Sequence, residues 1–219
     1  MIKKVKEKIR YYFVKQLMKI INNESTLNFL SEKIIQASKL KNINSCLQQV
    51  TIGTDSSFLP EASVENMTSD VSKINIGNNT HIRAELVAYS YGGQIFVGDN
   101  CYIGAGTRIW SGDSITIGNN VLIGHNINII DFSHKSYSVE RAESYKKLIK
   151  EGHPKEKGNI PSKPIVIEDD VIIYAGANIM MGVTIGKGSI VSACSVVIKD
   201  VKPFSLVIGN PAKAVWKTK

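Results

Sequence analysis

The two residues best suited to chemistry are Asp131 and His134, which lie where a regular sequence repeat stops. Histidine can accept a proton near neutral pH because its unperturbed pKa is about 6.5. Such a base could activate a hydroxyl or an amine for acyl transfer. Asp131 could orient the imidazole, although a backbone carbonyl could do the same. From the residues alone, a solvated loop histidine is an equally good interpretation of His134.

These residues belong to a chain that repeats about every six residues. An aliphatic residue followed by glycine recurs at Ile52-Gly53, Ile76-Gly77, Val97-Gly98, Ile103-Gly104, Ile117-Gly118, Ile123-Gly124 and Ile185-Gly186. A period of six fits a helix poorly, but it suits a short strand followed by a turn, and three such units make a coil of about 18 residues. Stacked coils that share an aliphatic core predict a mainly β parallel β-helix of about seven coils over 50–131 and 164–209.

The repeat is interrupted by residues 132–163, which show no six-residue rhythm. Because a stacked core has no room for an insertion, this segment must be extruded as a loop, and residues 139–150 could form a helical turn or two. Long loops of this kind are usually functional or disordered. His134 would lie where the chain leaves the coil.

A basic leader, residues 1–42, precedes the repeat domain, which we assign to residues 43–216. The leader holds ten Lys/Arg and three Glu of a total of 27 Lys/Arg and 19 Asp/Glu, so the rest of the chain is nearly neutral. This argues against nucleic-acid binding by the protein as a whole. Apolar residues at helical spacing predict an amphipathic helix near the start and a second short helix that ends near Leu40. Residues 1–22 could lie on an anionic membrane surface, or the helix could pack on the main domain or a neighbouring subunit.

Composition excludes several other classes of protein. No run approaches the roughly 18 apolar residues of a membrane-spanning helix. Lys15 interrupts the only apolar stretch near the start, so we expect no secretory signal. Cys46, Cys101 and Cys194 have no paired spacing and indicate a reducing cytoplasm. The basic leader could hold the protein there at the inner face of the membrane. His125 and His134 are spaced and placed unlike a zinc site, so we expect no metal.

Several motifs carry a resemblance to a known family. They are Asn120-Val-Leu-Ile-Gly124, Asp131-Phe-Ser-His134, Gly182-Val-Thr-Ile-Gly186, Lys199-Asp-Val-Lys-Pro203 and Gly209-Asn-Pro-Ala-Lys213. Over residues 50–216 the chain resembles the hexapeptide-repeat acyltransferases, and most closely the saccharide O-acetyltransferases of the maltose/galactoside and capsule/O-antigen type. The resemblance implies a left-handed parallel β-helix and a homotrimer, with acyl-CoA in the cleft between neighbouring subunits.

The resemblance also implies roles for particular residues. His134 matches the catalytic base of the family. Five residues match positions that contact CoA, the small ones allowing close approach and the lysines reaching phosphates: Ala175, Ala193, Ile198, Lys199 and Lys213. The chain departs from the family where Tyr174, Ser192 and Cys194 replace glycines along the expected CoA wall.

The function predicted is transfer of an acetyl group from acetyl-CoA to a saccharide hydroxyl, in cell-surface polysaccharide biosynthesis. Trp110 and Asp113 are candidates for contacting the acceptor, since sugar sites often offer an aromatic face and a carboxylate; turn residues on a solenoid corner are the alternative interpretation. Three alternatives stay open: N-acetylation of an amino sugar nucleotide, acetylation of a xenobiotic, and a non-catalytic β-helix scaffold, which the replaced glycines would favour.

Overall fold

The computed structural model describes residues 10–16, 18, 19, 24–133, 139–152, 154 and 156–217. The chain divides into two compact units, Met1–Lys41 and Asn42–Lys219. Helix α1 (Glu24–Leu47) crosses this division and extends beyond its predicted end near Leu40. Helix α2 (Val139–Glu151) forms within the inserted segment and is longer than predicted, and Val71–Lys73 form a 3₁₀ turn. Residues 10–16, 18 and 19 are also helical.

The larger unit is a parallel β-solenoid, as predicted, whose strands form three sheets. Sheet A contains β1 (Thr51–Ile52), β4 (Ile74–Ile76), β7 (Ile95–Val97), β10 (Ile115–Ile117), β13 (Ile165–Ile167) and β16 (Thr184–Ile185). Sheet B contains β2 (Ser57–Phe58), β5 (His81–Ile82), β8 (Tyr102–Ile103), β11 (Leu122–Ile123), β14 (Ile172–Ile173), β17 (Ile190–Val191), β19 (Ser205–Gly209) and β20 (Ala212–Lys217). Sheet C contains β3 (Ser63–Asn66), β6 (Glu85–Ala88), β9 (Arg108–Ser111), β12 (Asn128–Ile130), β15 (Asn178–Ile179) and β18 (Val196–Val197).

One strand from each sheet makes a coil, so coil 3 is β7–β9, coil 4 is β10–β12, coil 5 is β13–β15 and coil 6 is β16–β18. The turns between the sheets form three corners, which we call A–B, B–C and C–A. The described residues make six complete coils rather than the seven predicted. The difference arises because β19 pairs in parallel with β17 but then folds back on β20 as an antiparallel hairpin.

The core lies inside the coils and consists almost entirely of aliphatic side chains. Within sheet B, the inward-facing residues of successive strands are Ile82, Ile103, Ile123, Ile173 and Val191, each no more than 1% exposed. Because side chains alternate across a strand, the residue before each of them faces outward. Full burial of one such side chain contributes about 1.5–3 kcal/mol, so the repeated aliphatic position explains why a period of six produces this fold.

The A–B corner is held by a ladder of amide side chains. Asn79, Asn100, Asn120 and Asp170 have positive φ angles of 49°, 57°, 57° and 60°, a conformation that asparagine and aspartate tolerate better than most residues. The side-chain amide of each asparagine donates to the next member at 2.9, 3.3 and 3.0 Å. Lys187 Nζ lies 3.3 Å from Asp170 at the end of the ladder.

Within the larger unit, the end of α1 covers the first coil. Cys46 and Val50 are buried and belong to the core. The side-chain amide of Asn42 donates to the carbonyls of Pro60 and Ala62 at 3.1 and 2.7 Å. Among the residues described, neither helix combines the length and the apolar character that crossing a membrane requires.

Candidate active site

Asp131 is buried at the C–A corner of coil 4, immediately after β12. Its Oδ2 accepts hydrogen bonds from Ser111 Oγ at 2.6 Å and from the backbone N–H of Asp113 at 3.1 Å. Its Oδ1 accepts from the backbone N–H of Gly112 at 2.7 Å. Burial raises the pKa of the Asp131 carboxyl, although the three hydrogen bonds act in the opposite direction. The described structure therefore ties this carboxylate to the 111–113 turn of coil 3.

An aromatic cluster lies beside this carboxylate and outside the solenoid core. Tyr89 and Tyr91 stack with ring centroids 5.4 Å apart, and Phe132 packs edge-on against Tyr89 at 5.0 Å. Trp110 and Ile160 pack against the same cluster. Burial raises the pKa of both tyrosines, so both phenols stay protonated at neutral pH. The cluster joins the turn after β6 of coil 2 and Trp110 of coil 3 to the first residue of the inserted segment and to its returning end.

The two ends of the inserted segment also pair with each other. Phe132 and Ser162 form an antiparallel bridge. The backbone N–H of Ser133 donates to the carbonyl of Pro161 at 2.9 Å. The segment therefore leaves and re-enters the solenoid at one place.

Asp113, a predicted acceptor-binding residue, contacts the returning end of the inserted segment. Its Oδ2 accepts from Ser162 Oγ at 2.7 Å and from Lys157 Nζ at 3.2 Å. The hydrogen bond from Ser162, together with the ammonium group of Lys157, holds the pKa of Asp113 below its ordinary value. The carboxylate is 30% exposed and already has two donors.

Trp110, the other predicted acceptor contact, is half-buried on the outer face of β9. Its indole Nε1 is buried and has no hydrogen-bond partner among the described residues. His134 lies outside the described residues, so the role of Asp131 in orienting its imidazole stays a prediction.

Sequence analysis missed the partners of these groups. Ser111 and Gly112 were absent from the candidates, and so were Lys157 and Ser162. The only signal in the sequence is that Ser111-Gly-Asp113 breaks the aliphatic–glycine rhythm just before coil 4. Nothing in the spacing shows that this break faces the loop, because the contacts join residues 18 to 49 positions apart.

The residues predicted to contact CoA are all exposed, four on the last two coils and Lys213 on the hairpin. Ala175 and Ala193 lie on successive turns of the B–C corner, where the N–H of Cys194 donates to the carbonyl of Ala175 at 3.0 Å. Ile198 and Lys199 follow β18 at the C–A corner of coil 6, so these four residues flank β15 and β18. Lys213 lies on β20 and pairs with Ile208 of β19.

A groove of about 470 Å³ lies between the last coil and the hairpin. Two lysines, Lys199 and Lys202, line it together with apolar side chains such as Val197, Val207 and Trp216. The carboxylate-bearing side chain of Asp200 also lines the groove, and of the five predicted CoA contacts Lys199 alone is among its lining residues.

The three replacements of glycine have different surroundings. Tyr174 is 50% exposed, and the N–H of Ser192 donates to the carbonyl of Val207 at 2.9 Å. Cys194 has a positive φ of 57°, and its Sγ lies 3.1 Å from the position that a Cβ on Gly176 would take. The thiol therefore covers part of the corner between Ala175 and Ala193. Among the described residues, no group of three His, Cys, Asp or Glu side chains is placed to hold a metal ion.

The chain is similar to several curated proteins over a short region, and no protein-family model matches it. A 2,3,4,5-tetrahydropyridine-2,6-dicarboxylate N-acetyltransferase of Clostridium perfringens is 57% identical over 56 residues, which is 25% of this chain and 24% of that protein. A protein of the same name from Staphylococcus aureus is 48% identical over 54 residues, which is 25% of this chain and 23% of that protein. The chain thus spans about a quarter of the length of these relatives.

Similarity to solved structures extends over most of the chain. The hexapeptide-repeat acetyltransferase VCA0836 of Vibrio cholerae, solved in complex with acetyl-CoA, is 27% identical, covers 90% of this chain and 91% of its own, and has a TM-score of 0.55. A mutant of AntD, an N-acyltransferase from Bacillus cereus in complex with dTDP-4-amino-4,6-dideoxyglucose and coenzyme A, is 20% identical with a TM-score of 0.61 and covers 77% of this chain and 83% of its own. At that identity AntD supports the fold alone.

Proposed function

We propose that this chain, which resembles the hexapeptide-repeat acyltransferases in sequence and fold, is an acetyl-CoA-dependent O-acetyltransferase that acts on a saccharide in cell-surface polysaccharide biosynthesis. The similarity to VCA0836 confirms the resemblance predicted from the motifs. The observation that carries the proposal is that this similarity covers nearly the whole chain and includes an acetyl-CoA complex.

The reaction needs an activated acetyl group, which the acetyl-CoA thioester supplies. His134 removes the proton of the acceptor hydroxyl, a contribution of about 10²–10⁴-fold in rate. The hydroxyl oxygen attacks the thioester carbonyl directly, the C–S bond breaks, and CoA leaves as its thiol with the proton that His134 returns. Lys199 and Lys213 neutralise the phosphates of the bound acetyl-CoA, and Ala175 and Ala193 let its extended arm approach the backbone. All four residues are exposed, three on the last two coils and Lys213 on the hairpin, which supports this assignment.

The acceptor binds beside the inserted segment. Trp110 offers it a partly exposed ring on the outer face of β9. Asp113 also faces the inserted segment, but its carboxylate already accepts from Ser162 and Lys157, so a sugar hydroxyl would be a third donor. We therefore assign the acceptor contact first to Trp110.

N-acetylation of an amino sugar nucleotide is the second candidate. It is favoured by the N-acetyltransferase activity in the names of the curated relatives. The two activities differ in the bond formed, because an ester is cleaved by mild alkali and an amide is not. Incubation with [¹⁴C]acetyl-CoA and a panel of saccharides and amino sugars, followed by alkali treatment of the product, separates them.

The first test is calorimetric titration of the purified protein with acetyl-CoA. We expect binding in the micromolar range by the wild type and by His134→Ala, with turnover lost only in the variant. Lys199→Ala should weaken binding, whereas Lys187→Ala, at the opposite A–B corner, should not. If Lys199 contacts the 3′-phosphate, its replacement should have no effect on binding of dephospho-CoA. Absence of binding up to millimolar acetyl-CoA would contradict the proposal and favour the scaffold.

We also propose a homotrimer, supported by an apolar stripe on the outer face of sheet B. From β8 onward the outward-facing residues are Tyr102, Leu122, Ile172, Ile190 and Leu206, which are half-buried or exposed, whereas β2 and β5 present Ser57 and His81. The matching row on sheet C is mainly polar. Light scattering should give about 72 kDa, three times the chain mass of 24.1 kDa. Leu122→Glu should lower this mass, whereas Thr116→Glu on sheet A should leave it unchanged.

The start of the chain is proposed to attach the protein to an anionic membrane surface. In its described part, Arg10, Lys15 and Lys19 accompany the exposed aromatic side chains of Tyr12 and Phe13. Cations and aromatic side chains on one helix favour an anionic interface. The full chain should sediment together with anionic vesicles, and the form that lacks residues 1–22 should stay in the supernatant. Equal sedimentation of both forms would contradict attachment.

A further inference from the structure

The 111–113 turn of coil 3 contacts both ends of the inserted segment, and this double contact has a consequence for catalysis. We infer that Asp131 and Asp113 form a clamp that fixes residues 131–133 and 157–163 to coil 3. Asp131 is thereby a positioning residue: it serves catalysis by fixing the point from which the chain continues to His134, and not as the charged partner of the imidazole. The catalytic part of this inference rests on the proposed function.

The carboxylate of Asp131 is already occupied by donors from coil 3. The side chain is buried, and its two oxygens accept three hydrogen bonds from the 111–113 turn. The Ser111 hydroxyl accepts from the backbone N–H of Gln94 at 3.1 Å, so its single proton is directed to Asp131. An imidazole would have to reach a fully buried carboxylate that has three donors. The arrangement instead suits a fixed joint between coils 3 and 4.

Asp113 extends this joint to the returning end of the segment. Its backbone N–H donates to Asp131, while its carboxylate accepts from Ser162 and Lys157. The backbone N–H of Lys163 in turn donates to the main-chain carbonyl of Asp131 at 2.9 Å. Asp131 is therefore held through its side chain by coil 3 and through its main chain by the returning end. Loss of the Asp131 carboxylate contacts should loosen both ends together.

The test uses variants that weaken the clamp without touching the imidazole. Ser111→Ala removes one donor to Asp131 and leaves the carboxylate in place. Ser189→Ala is the matched control, because Ser189 is equally buried and its hydroxyl also bridges two partners, donating to Lys202 and accepting from Ser205. Asp131→Asn removes the charge. Amide hydrogen exchange, followed by mass spectrometry of the peptides that cover 157–163, reports the clamp directly and needs no acceptor.

We expect exchange in 157–163 to become about tenfold faster in Ser111→Ala and Asp131→Asn, and not in Ser189→Ala. With acceptor present, kcat should fall about tenfold in both clamp variants, with KM for acetyl-CoA unchanged because the proposed CoA residues lie on coils 5 and 6 and the hairpin. In the plot of kcat/KM against pH, the fall in rate on the acidic side should occur at the same pH in both clamp variants as in the wild type. A charged partner would behave differently, because removing its charge lowers the pKa of the base and moves this acidic limb to lower pH.

Three results would overturn the inference. If exchange in 157–163 is no faster in the clamp variants than in Ser189→Ala, the clamp does not exist, whatever the activity of the variants. Faster exchange with unchanged kcat would remove its role in positioning. Asp131 would instead be the charged partner of the imidazole if Asp131→Asn shifts the acidic limb of the kcat/KM profile while Ser111→Ala leaves exchange, kcat and this limb as in the wild type. Failure of the proposed function is seen separately, as absence of acetyl-CoA binding in the wild type.

Discussion

Replacement of Gly112 by alanine tests whether the aromatic cluster supports the inserted segment. A Cβ on Gly112 would lie 2.7 Å from Tyr91 Cε2 and 3.3 Å from both Phe132 Cδ1 and Tyr91 Oη. The Tyr91 ring would have to retreat by about 0.7 Å to restore an ordinary contact of 3.4 Å. Tyr91 is only 9% exposed and stacks on buried Tyr89, so little room is available.

The expected cost follows from this crowding. Overpacking of a buried site costs about 1–3 kcal/mol, and about 1 kcal/mol lowers the Tm of a chain of this size by about 2–4 °C. We therefore expect Gly112→Ala to lower Tm by about 2–12 °C. Because the backbone N–H of Gly112 is retained, its hydrogen bond to Asp131 can persist. The perturbation should instead displace Phe132 and speed exchange in 157–163.

Gly118→Ala is the matched control for this prediction. A Cβ there would lie 2.5 Å from Asp169 Oδ1 and 2.8 Å from its backbone nitrogen, at the A–B corner and away from the inserted segment. Thermal denaturation should show a loss for both variants, but only Gly112→Ala should lower kcat and speed exchange in 157–163. Adding Tyr91→Leu should relieve part of the Gly112→Ala cost, as a double-mutant cycle would reveal. Equal Tm for the wild type and Gly112→Ala would refute the crowding argument.

Three further predictions concern the core, the inserted segment and the B–C corner. Ile117→Ala should lower the free energy of unfolding, measured by urea denaturation, by about 2–5 kcal/mol because the side chain is buried in the core. Thr116→Ala replaces the outward-facing neighbour and should lower it by less than about 1 kcal/mol. Similar losses in the two variants would contradict the inward–outward alternation of the strand. The pKa of Asp113 is lowered in the folded protein, so its stabilising contribution is present above the ordinary value near 3.8 and is lost as pH falls through the folded value. The protection of amides in 157–163, taken as the exchange rate of an unstructured peptide at the same pH divided by their own, should therefore fall on acidification. Asp113→Asn should flatten this dependence, and an equal response in both proteins would argue against it. Cys194 has a positive φ, a conformation that glycine adopts freely and valine does not. Cys194→Gly should therefore preserve Tm, whereas Cys194→Val should lower the free energy of unfolding by about 1–2 kcal/mol. Equal Tm values for the two variants would count against backbone strain at this position.

The sequence predicts the solenoid well because its determinants are local and periodic. An inward-facing aliphatic residue and a tight turn recur in every coil, so each unit specifies the same element. The predicted coil count is too high because residues 205–209 retain aliphatic residues at suitable spacing but belong to a hairpin. The extent of α1 was underestimated because its last residues are held by contacts such as those of Asn42 with Pro60 and Ala62, which leave no periodic signal.

The candidate site was harder to predict because its contacts are not periodic. Asp131 was noticed for its spacing to His134, yet its described partners are Ser111, Gly112 and the backbone of Asp113. Asp113 was expected to meet a sugar, yet its carboxylate meets Ser162 and Lys157. In both cases the residue type indicated a polar role, and only the fold specifies the partner.

The solenoid continues across the inserted segment without a change of register, and this explains how the segment is tolerated. Strand β10 pairs with β7 before it and β13 after it, as Ile115 with Ile95 and with Ile165. The amide ladder spans 20 positions from Asn100 to Asn120 and 50 positions from Asn120 to Asp170, yet both steps form the same bond. Since the inserted residues begin and end at one corner, their ends need only a local attachment. The inferred clamp supplies that attachment, so the insertion leaves the pairing of the stacked coils unchanged.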